Sequence, residues 1–570
     1  MARSFGQVLI DLGFIDEEQL ELLREEQEQR QNELIGQIGI SMNMITEEQV
    51  AQALAEQHGM QVVAVSDLTI PPEGLKHLTE PMANLYRVIP LSFRNDVLTV
   101  ATADPQNIHV FDELRNFLGY QIRAVVTTPK EIEVALERYY ATDEGDSVES
   151  LIETMKQDAS FMGELEQAAA SEDLTSAEAL AESAPVRKLL NMVFLLGIKD
   201  HASDLHFEPF EDEFKIRIKA DGTLYEMVPP PRHLANAITT RIKVLANLDI
   251  AERRLPQDGR IRLTVGGHPI DFRVSVLPTM FGESVVCRIL DKSVISLDLN
   301  NVGMSQELIR EFREIIELPN GIILVTGPTG SGKTTTLYAA LSELNVITDK
   351  LMTTEDPVEY DIDGIVQMPI DAEIGNTFAQ CLRSILRQDP DIILVGEIRD
   401  RETAQIAVQA SLTGHLVFST LHTNDAPSTI TRLKDMGIPE FLITATLQAI
   451  LAQRLVRRIC KECRTEINPT DEQLAQLNLT SADVAGKRFY QGAGCVTCNN
   501  TGYKGRTAIH EFLVVNEEIR DIILRNGSVA EMAEAAKRNG MTPLRDAGLD
   551  KIYEGITTIE EVMRETVLDI

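Results

Sequence analysis

The stretch Gly321–Leu337 reads GIILVTGPTGSGKTTTL, and it constrains this 570-residue chain more than any other. Its apolar, β-branched opening, Ile322 to Thr326, has the composition of a buried strand. The run stops at Gly327, small residues follow, and Lys333 and Thr334 open a helix-compatible segment. This is G-x-x-x-x-G-K-[ST], a P-loop: Gly327, Pro328, Thr329, Gly330, Ser331, Gly332, Lys333 and Thr334, with Thr335 next. Glycine at 327, 330 and 332 lets the backbone wrap a phosphate with its N–H groups pointing inward. The N-terminus of the following helix adds partial positive charge. Lys333 is spaced to reach β- and γ-phosphates, and the Thr334 hydroxyl to sit on Mg²⁺.

Two later stretches supply groups that such a site needs. RQDPDIILVGEIRD (387–400) contains a second apolar strand, Ile392 to Val395, ending on Gly396 and Glu397. An acidic residue at the end of a strand beside a P-loop strand holds the metal or its water and orients the attacking water. TTEDPVEY (353–360) places Glu355, Asp356 and Glu359 just after another strand. TGHLVFSTLHTNDAP (413–427) is a third strand flanked by His415 and His422, and a strand returning to the same sheet edge makes His422 a credible γ-phosphate sensor.

Four of the six cysteines form two pairs, Cys460 with Cys463 and Cys495 with Cys498. Four thiolates suit a tetrahedral, closed, structural Zn²⁺ site. Two redox pairs are the alternative, with no thioredoxin-like pattern around them. Cys287 and Cys381 lie in strand and helix patterns and read as packing residues.

Upstream, residues 1–60 carry an internal repeat with an offset of 30, Phe5 against Ile35 and Gln27 against Gln57. Each copy predicts a short helix, a turn and a longer helix, with Asp16 or Thr46 as N-cap and Gln19 or Gln49 completing a capping box. Leu20 and Leu23, and Val50 and Leu54, share a face at helical spacing. Residues 61–140 predict a small α/β unit with strands at Gln61–Val65, Val88–Leu91, Val97–Ala101 and Ile122–Val126. Residues 141–184 predict an acidic, solvated linker. Residues 185–294 form a second domain in which Arg273 and Arg288 sit on strands joined through LPTMFGE (277–283). The nucleotide domain follows from 295 to 570, with a cysteine subdomain at about 455–512.

Bulk properties limit the function classes. A net charge of −35 disfavours a nucleic-acid track, which needs basic surface to displace counterions. No apolar run approaches the ~18 residues of a membrane span. The opening MARSFGQVLIDLG lacks the pattern of a signal peptide. A cytoplasmic location is expected, with membrane contact only through partners. A nucleic-acid translocase and a nucleotide-gated scaffold are the rival readings of the same P-loop.

The ordered set SDLHFEP, LDIAERRLPQDGRI, GPTGSGKTTT, TTEDPVEY, RQDPDIILVGEIRD, STLHTNDAP and the four cysteines resembles the GspE/PilB group of ATPases, which drive type II secretion and type IV pilus assembly. The resemblance covers nearly the whole chain. It implies an α/β multidomain protein: a helical-repeat and small α/β N-terminal region, a PAS-like domain, and a RecA-like P-loop ATPase domain with a zinc-binding insertion. It further implies Mg²⁺-dependent ATP hydrolysis by a homohexamer beneath an inner-membrane platform protein, with pilus assembly as the leading role and type II secretion as the alternative. The segment Glu355 to Glu359 corresponds to the Asp box, Glu397 to the Walker B glutamate, and His415 and His422 to the His box. Arg273 and Arg288 match arginines that approach the phosphates. The N-terminal repeat resembles a tandem motif that binds cyclic di-GMP, but Ser4 and Leu34 stand where that motif has Arg, and Asn43 replaces a Gly kept as Gly13. The expectation is a retained helical fold with cyclic di-GMP bound weakly or not at all.

Overall fold

The computed structural model describes the chain apart from residues 1–3, 31–33, 69, 76, 79, 141–151, 153–178, 228, 266–267, 292–296, 478, 481 and 567–570. The acidic stretch at 141–184 therefore lies almost wholly outside the described residues. The chain divides between Ser293 and Val294 into two units. Among the described residues no helix is long and apolar enough to cross a membrane.

In the first unit, the repeat folds as its pattern predicts, into helices Phe5–Asp11, Glu17–Gln29, Ile35–Ser41 and Glu47–His58. Asp16 with Gln19 and Thr46 with Gln49 form reciprocal capping boxes. Leu20 and Leu23 are buried in the core of this bundle, and a Cβ on Gly6 would lie 2.4 Å from Leu20 Cδ1. Gly13 and Asn43 occupy equivalent turns with left-handed φ of 71° and 55°. The two copies thus keep one backbone geometry, which Asn tolerates better than other side chains.

Strands β1 (Val88–Arg94), β2 (Val97–Thr102) and β3 (Gln121–Val126) make a three-stranded sheet. The strand expected at Gln61–Val65 is not formed. Val62 makes a single parallel bridge to Val126, and Val65–Asp67 turns as a short 3₁₀ helix. The reason is a distant partner: the Val65 N–H donates to the Glu131 carboxylate at 2.8 Å, which takes it out of any ladder.

A six-stranded antiparallel sheet follows: β4 (Asp204–Pro209), β5 (Phe214–Ala220), β6 (Thr223–Glu226), β7 (Gln257–Val265), β8 (His268–Thr279) and β9 (Gly282–Asp291), in the order β6-β5-β4-β9-β8-β7. The QDGRI segment is itself strand β7. Gly259 sits inside it because a Cβ there would meet the Ala246 carbonyl oxygen at 2.9 Å. The apolar helix Ala184–Lys199 packs against both this sheet and the helices Glu80–Tyr86 and Ile108–Leu118, so one apolar core runs from Val65 to Cys287.

The second unit is built on a seven-stranded sheet of β10 (Gly321–Thr326), β11 (Leu351–Glu355), β12 (Ile365–Pro369), β13 (Ile392–Val395), β14 (Leu416–Leu421), β15 (Leu447–Ile459) and β18 (Tyr503–Val514). The order is β12-β11-β13-β14-β10-β15-β18, parallel throughout except for β18. Every residue of β10, β13 and β14 is buried, as expected when helices cover both faces of a parallel sheet. The parallel register places the C-terminal ends of β10, β11, β13 and β14 along one edge, where ligands of open α/β sheets bind. Strand β15 continues beyond the sheet to the paired cysteines. There β16 (Arg464–Ile467) and β17 (Phe489–Gly492) form a hairpin, and Leu474, Phe489, Ile552 and Val562 share a small core.

Candidate nucleotide site and four-cysteine cluster

The P-loop leaves the end of β10 and enters the helix Lys333–Leu344. Gly327, Gly330 and Gly332 have φ of 143°, 80° and 87°, a region that disfavours side chains. Space also matters: a Cβ on Gly327 would come within 2.5 Å of the Gln453 carbonyl oxygen. Pro328, Thr329 and Gly330 form the exposed rim, Ser331 is buried, and Thr334 is exposed at the start of the helix with Thr335 partly covered. Lys333 Nζ donates to the Gly327 and Pro328 carbonyls, at 2.9 Å each, folding back over the loop where phosphates would lie.

Glu397 follows β13 and meets the P-loop from the neighbouring strands. The bonds Gly396 N–H to Thr354 O (2.8 Å), Ile398 N–H to Thr420 O (3.1 Å) and Thr420 Oγ1 to Gly396 O (2.7 Å) fix its backbone. Its side chain, 13% exposed, pairs with Arg399 and lies 3.5 Å from His422 Nε2. Arg399 also reaches Asp356, at 4.0 Å. Lys333, Glu397 and His422 thus converge, with Asp356 at the margin, as the strand ends predict. Arg399 was not anticipated, because an arginine after a Walker B strand has no spacing signature of its own.

Two expected residues are placed elsewhere. His415 precedes β14 whereas His422 follows it, so at the usual rise per strand residue their rings lie about 20 Å apart. The His415 ring bonds the Ala410 carbonyl at 2.9 Å, finishing the preceding helix at the opposite edge of the sheet. It is thus placed apart from Lys333, Glu397 and His422. Glu355 ends β11 but is only 4% exposed. Tyr338 Oη donates to one of its oxygens, and Thr353 Oγ1 (2.5 Å) and Gln367 Nε2 (3.1 Å) donate to the other. Each oxygen accepts from at least one protein donor, so Glu355 ties β11, β12 and the P-loop helix together. Glu359 is tied to the same phenol by its N–H, at 3.4 Å.

Two further residues brace the P-loop and were invisible in the sequence. Gln453 on β15 accepts from Thr336 Oγ1 at 2.8 Å and donates to the Ser331 carbonyl at 2.9 Å. Its neighbour Arg454 is buried beside Gly327. Burial draws the Lys333 amine down to about 8, against the pull of Glu397 and with help from the Arg454 charge.

In the first unit Arg273 and Arg288 are direct cross-strand partners, and Arg260 continues the row opposite Arg273. Arg288 is anchored through Nε to Asp204 Oδ1 at 2.9 Å, with its side chain still 58% exposed. Ser203 Oγ supports that carboxylate at 2.8 Å, which gives the SDLHFEP motif a physical purpose.

The four cysteines gather into one cluster with all sulfurs within 4.8 Å of one another. A tetrahedron of zinc–sulfur bonds of about 2.3 Å needs sulfur–sulfur edges of about 3.8 Å. The edges Cys460–Cys495, Cys463–Cys498 and Cys495–Cys498 are 3.8, 3.8 and 3.7 Å. The first two cross between the sequence pairs, which favours one shared metal over two separate redox pairs. Burial raises the Cys498 thiol, but N–H donors from Cys495 and Gly502 outweigh it and bring the group down to about 7. The donor set fits zinc. Cys287 and Cys381 are buried packing residues, as expected.

Residues 179–564 match the family described as type II/IV secretion system protein, and residues 58–146 match the MshEN domain. The chain belongs to the type II/IV secretion system protein family. It is 44% identical over 571 residues to the type IV pilus assembly ATPase PilB of Myxococcus xanthus, covering 100% of each chain. It is 42% identical over 537 residues to type II secretion system protein E of Xanthomonas campestris pv. campestris, covering 94% of this chain and 92% of that one. The ATPase DotB of Yersinia pseudotuberculosis shares the fold, with a TM-score of 0.50 and 22% identity over 66% of this chain and 93% of that chain.

Two outcomes follow from this geometry. The folded Lys333 amine titrates near 8 against an ordinary 10.5. Its burial penalty on stability is therefore full below pH 8 and fades as pH rises to 10.5. Bound phosphate restores the proton, so above pH 8 nucleotide binding should take up a proton and weaken by up to about tenfold per pH unit. Calorimetry in two buffers of different ionisation enthalpy should detect that uptake, and Lys333→Arg should abolish it. The two glutamates should also separate: Glu397→Gln should slow turnover at least about a hundredfold. Glu355→Gln should instead cost about 1–3 kcal/mol in urea unfolding, with turnover per folded molecule changed less than about threefold.

Proposed function

We propose that this chain is the Mg²⁺-dependent ATPase that drives type IV pilus assembly. Phosphates of ATP bind in the cradle of Gly327 to Thr335 and draw Lys333 away from its backbone carbonyls. The Thr334 hydroxyl is the ligand for Mg²⁺, which would neutralise charge on the β- and γ-oxygens. Glu397 orients the attacking water, Glu359 supports it from the Asp box, and His422 reads the γ-phosphate. Arg273 and Arg288 neutralise developing charge. The observation that carries the reading is the convergence of Lys333, Glu397 and His422 on one sheet edge. It favours turnover over a nucleotide-gated scaffold, which needs no water-orienting carboxylate. The −35 net charge counts against a nucleic-acid translocase.

Pilus assembly is preferred to type II secretion because the PilB relative aligns over the full length of both chains. Six subunits form a ring at the cytoplasmic face of the inner membrane and work on a platform protein, with no membrane contact of their own. The six-stranded domain of 185–294 is PAS-like, 295–570 is RecA-like, and the four cysteines hold zinc as a structural insertion. The repeat of 1–60 and the α/β unit of 61–140 form a docking module. The α/β unit lies within the match to an MshEN domain at 58–146; in the repeat, without Arg at Ser4 and Leu34, a charge-assisted contact to cyclic di-GMP is lost in each copy. Weak or no binding is the reading supported here.

A strain lacking this gene and complemented with Glu397→Gln should display no surface pili while exporting its secreted enzymes normally. Normal piliation with secretion lost would transfer the assignment to type II secretion. Metal analysis of purified protein should find about one zinc per chain, and Cys498→Ser should lose it together with stability, since a closed site contributes folding energy. A folded, metal-free wild type would remove the zinc assignment.

A further inference from the structure

Arg454 is 6% exposed, yet among the described residues no carboxylate lies within 4.0 Å of its guanidinium. Its acceptors are neutral. Nη1 donates to the Gln453 carbonyl at 3.1 Å, and Nη2 donates to both Asn424 O, at 2.9 Å, and Asn424 Oδ1, at 3.1 Å. Glu565, Asp425 and Glu511 act on it only from a distance. A buried cation held solely by neutral groups is costly, so its position calls for an explanation beyond packing.

The topology supplies one. Strand β10, which ends in the P-loop, lies between β14 and β15. Arg454 stands on β15, and Asn424 follows β14. The side chain therefore arches over the end of the P-loop strand and joins the segments on either side. It passes close to what it crosses: a Cβ added to Gly327 would lie 3.1 Å from Nη1, leaving room there only for glycine. Gly327 also carries one of the two carbonyls that Lys333 now occupies, and Asn424 is two residues from His422. Beyond Asn424 the polar contacts continue. Glu511 accepts from the Ala426 N–H at 2.8 Å and from the Leu544 N–H at 3.2 Å, tying the first residues of two helices. The second of these helices carries Ile552 into the core of the four-cysteine subdomain.

We propose that Arg454 is a positioning residue: a strut that couples occupancy of the P-loop to the His422–Asn424 segment, acting through Asn424 without touching the reacting atoms. When phosphates draw Lys333 off the Gly327 carbonyl, the Gly327 backbone changes partners. The guanidinium packed against it transmits that change to Asn424 and so to the aim of His422. The planar fork is required, because a lysine ammonium cannot span Gln453 O and both acceptors of Asn424 in one fixed geometry. The proposal rests on the ATPase reading of the site.

Hydrogen–deuterium exchange on the full-length protein, with and without a non-hydrolysable ATP analogue and Mg²⁺, tests it alongside steady-state kinetics. The wild type should gain protection in peptides covering both 327–336 and 421–426. Arg454→Gln and Arg454→Lys should keep the first and lose the second. Their kcat should fall at least about tenfold, with KM within about threefold. Persistent protection of 421–426 in both variants, or recovery of kcat by Lys, overturns the strut. If the Arg454 variants fail to fold, Asn424→Ala reads the same link from its exposed end. It should lower kcat about three- to tenfold, the scale of one lost hydrogen bond, and an unchanged kcat overturns the proposal. A wild type that binds the analogue but turns over no ATP refutes the ATPase reading, while the exchange comparison still decides the strut.

Discussion

The ammonium of Lys333, held at the end of the fully buried strand β10, is the constraint around which the nucleotide-binding unit is organised. Its position depends on the left-handed glycines of the P-loop, on Gln453 beneath Ser331 and Thr336, and on Arg454 against Gly327. A cation kept partly out of water, beside a second cation, is poised to accept an anion. The free energy needed to hold it there comes from the apolar strands of the sheet, whose six-residue β10 is buried from end to end. Stability of the core and readiness for phosphate are thus the same investment of sequence.

The acidic residues show how one chemical type takes different roles by placement. Glu355 terminates β11 and Glu397 follows β13, two neighbouring parallel strands separated from the P-loop strand by β14. Glu397 faces His422 and Arg399 and keeps access to the site. Glu355 faces inward, where it accepts from a phenol, a hydroxyl and an amide. The histidines divide in the same way: His422 at the C-terminal end of β14 meets the site, and His415 at the other end finishes a helix. Strand polarity decides which is which, because only one edge of a parallel sheet collects the loops that follow its strands.

The regions outside the sheet follow a similar economy. The paired cysteines form a single cluster only because β15 and β18 run antiparallel and bring Ile459 opposite Tyr503, next to Cys460 and within reach of Cys498. In the first unit, the register of β8 with β9 sets Arg273 beside Arg288, and Asp204 on β4 orients the latter. Each of these groupings is assembled by backbone pairing across long sequence separations.

Local signals determined a great deal. The P-loop and its helix, the capping boxes of the repeat, the hairpin carrying the two arginines, and the strand ending at Glu397 were all legible, since each depends on neighbours within a few residues and on the periods of helix and strand. Expectations of a ring, a platform protein and the roles of the boxes come from the family resemblance, since spacing alone encodes none of them. What the chain in isolation did not disclose was nonlocal. The Gln61–Val65 run looked like a strand, but a carboxylate on a distant helix takes the Val65 N–H. That Glu355 turns inward, and that His415 lies at the opposite end of β14 from His422, shows only in the folded chain. Arg399, Gln453 and Arg454 carried no pattern, because their significance lies in partners such as Asp356, Ser331 and Asn424, which only folding brings near. The sequence by itself determined which phosphate-binding loop this protein has and which elements flank it. The tertiary structure decided which polar side chains face that loop, because hydrogen-bond saturation and burial are properties of surroundings that no single segment contains.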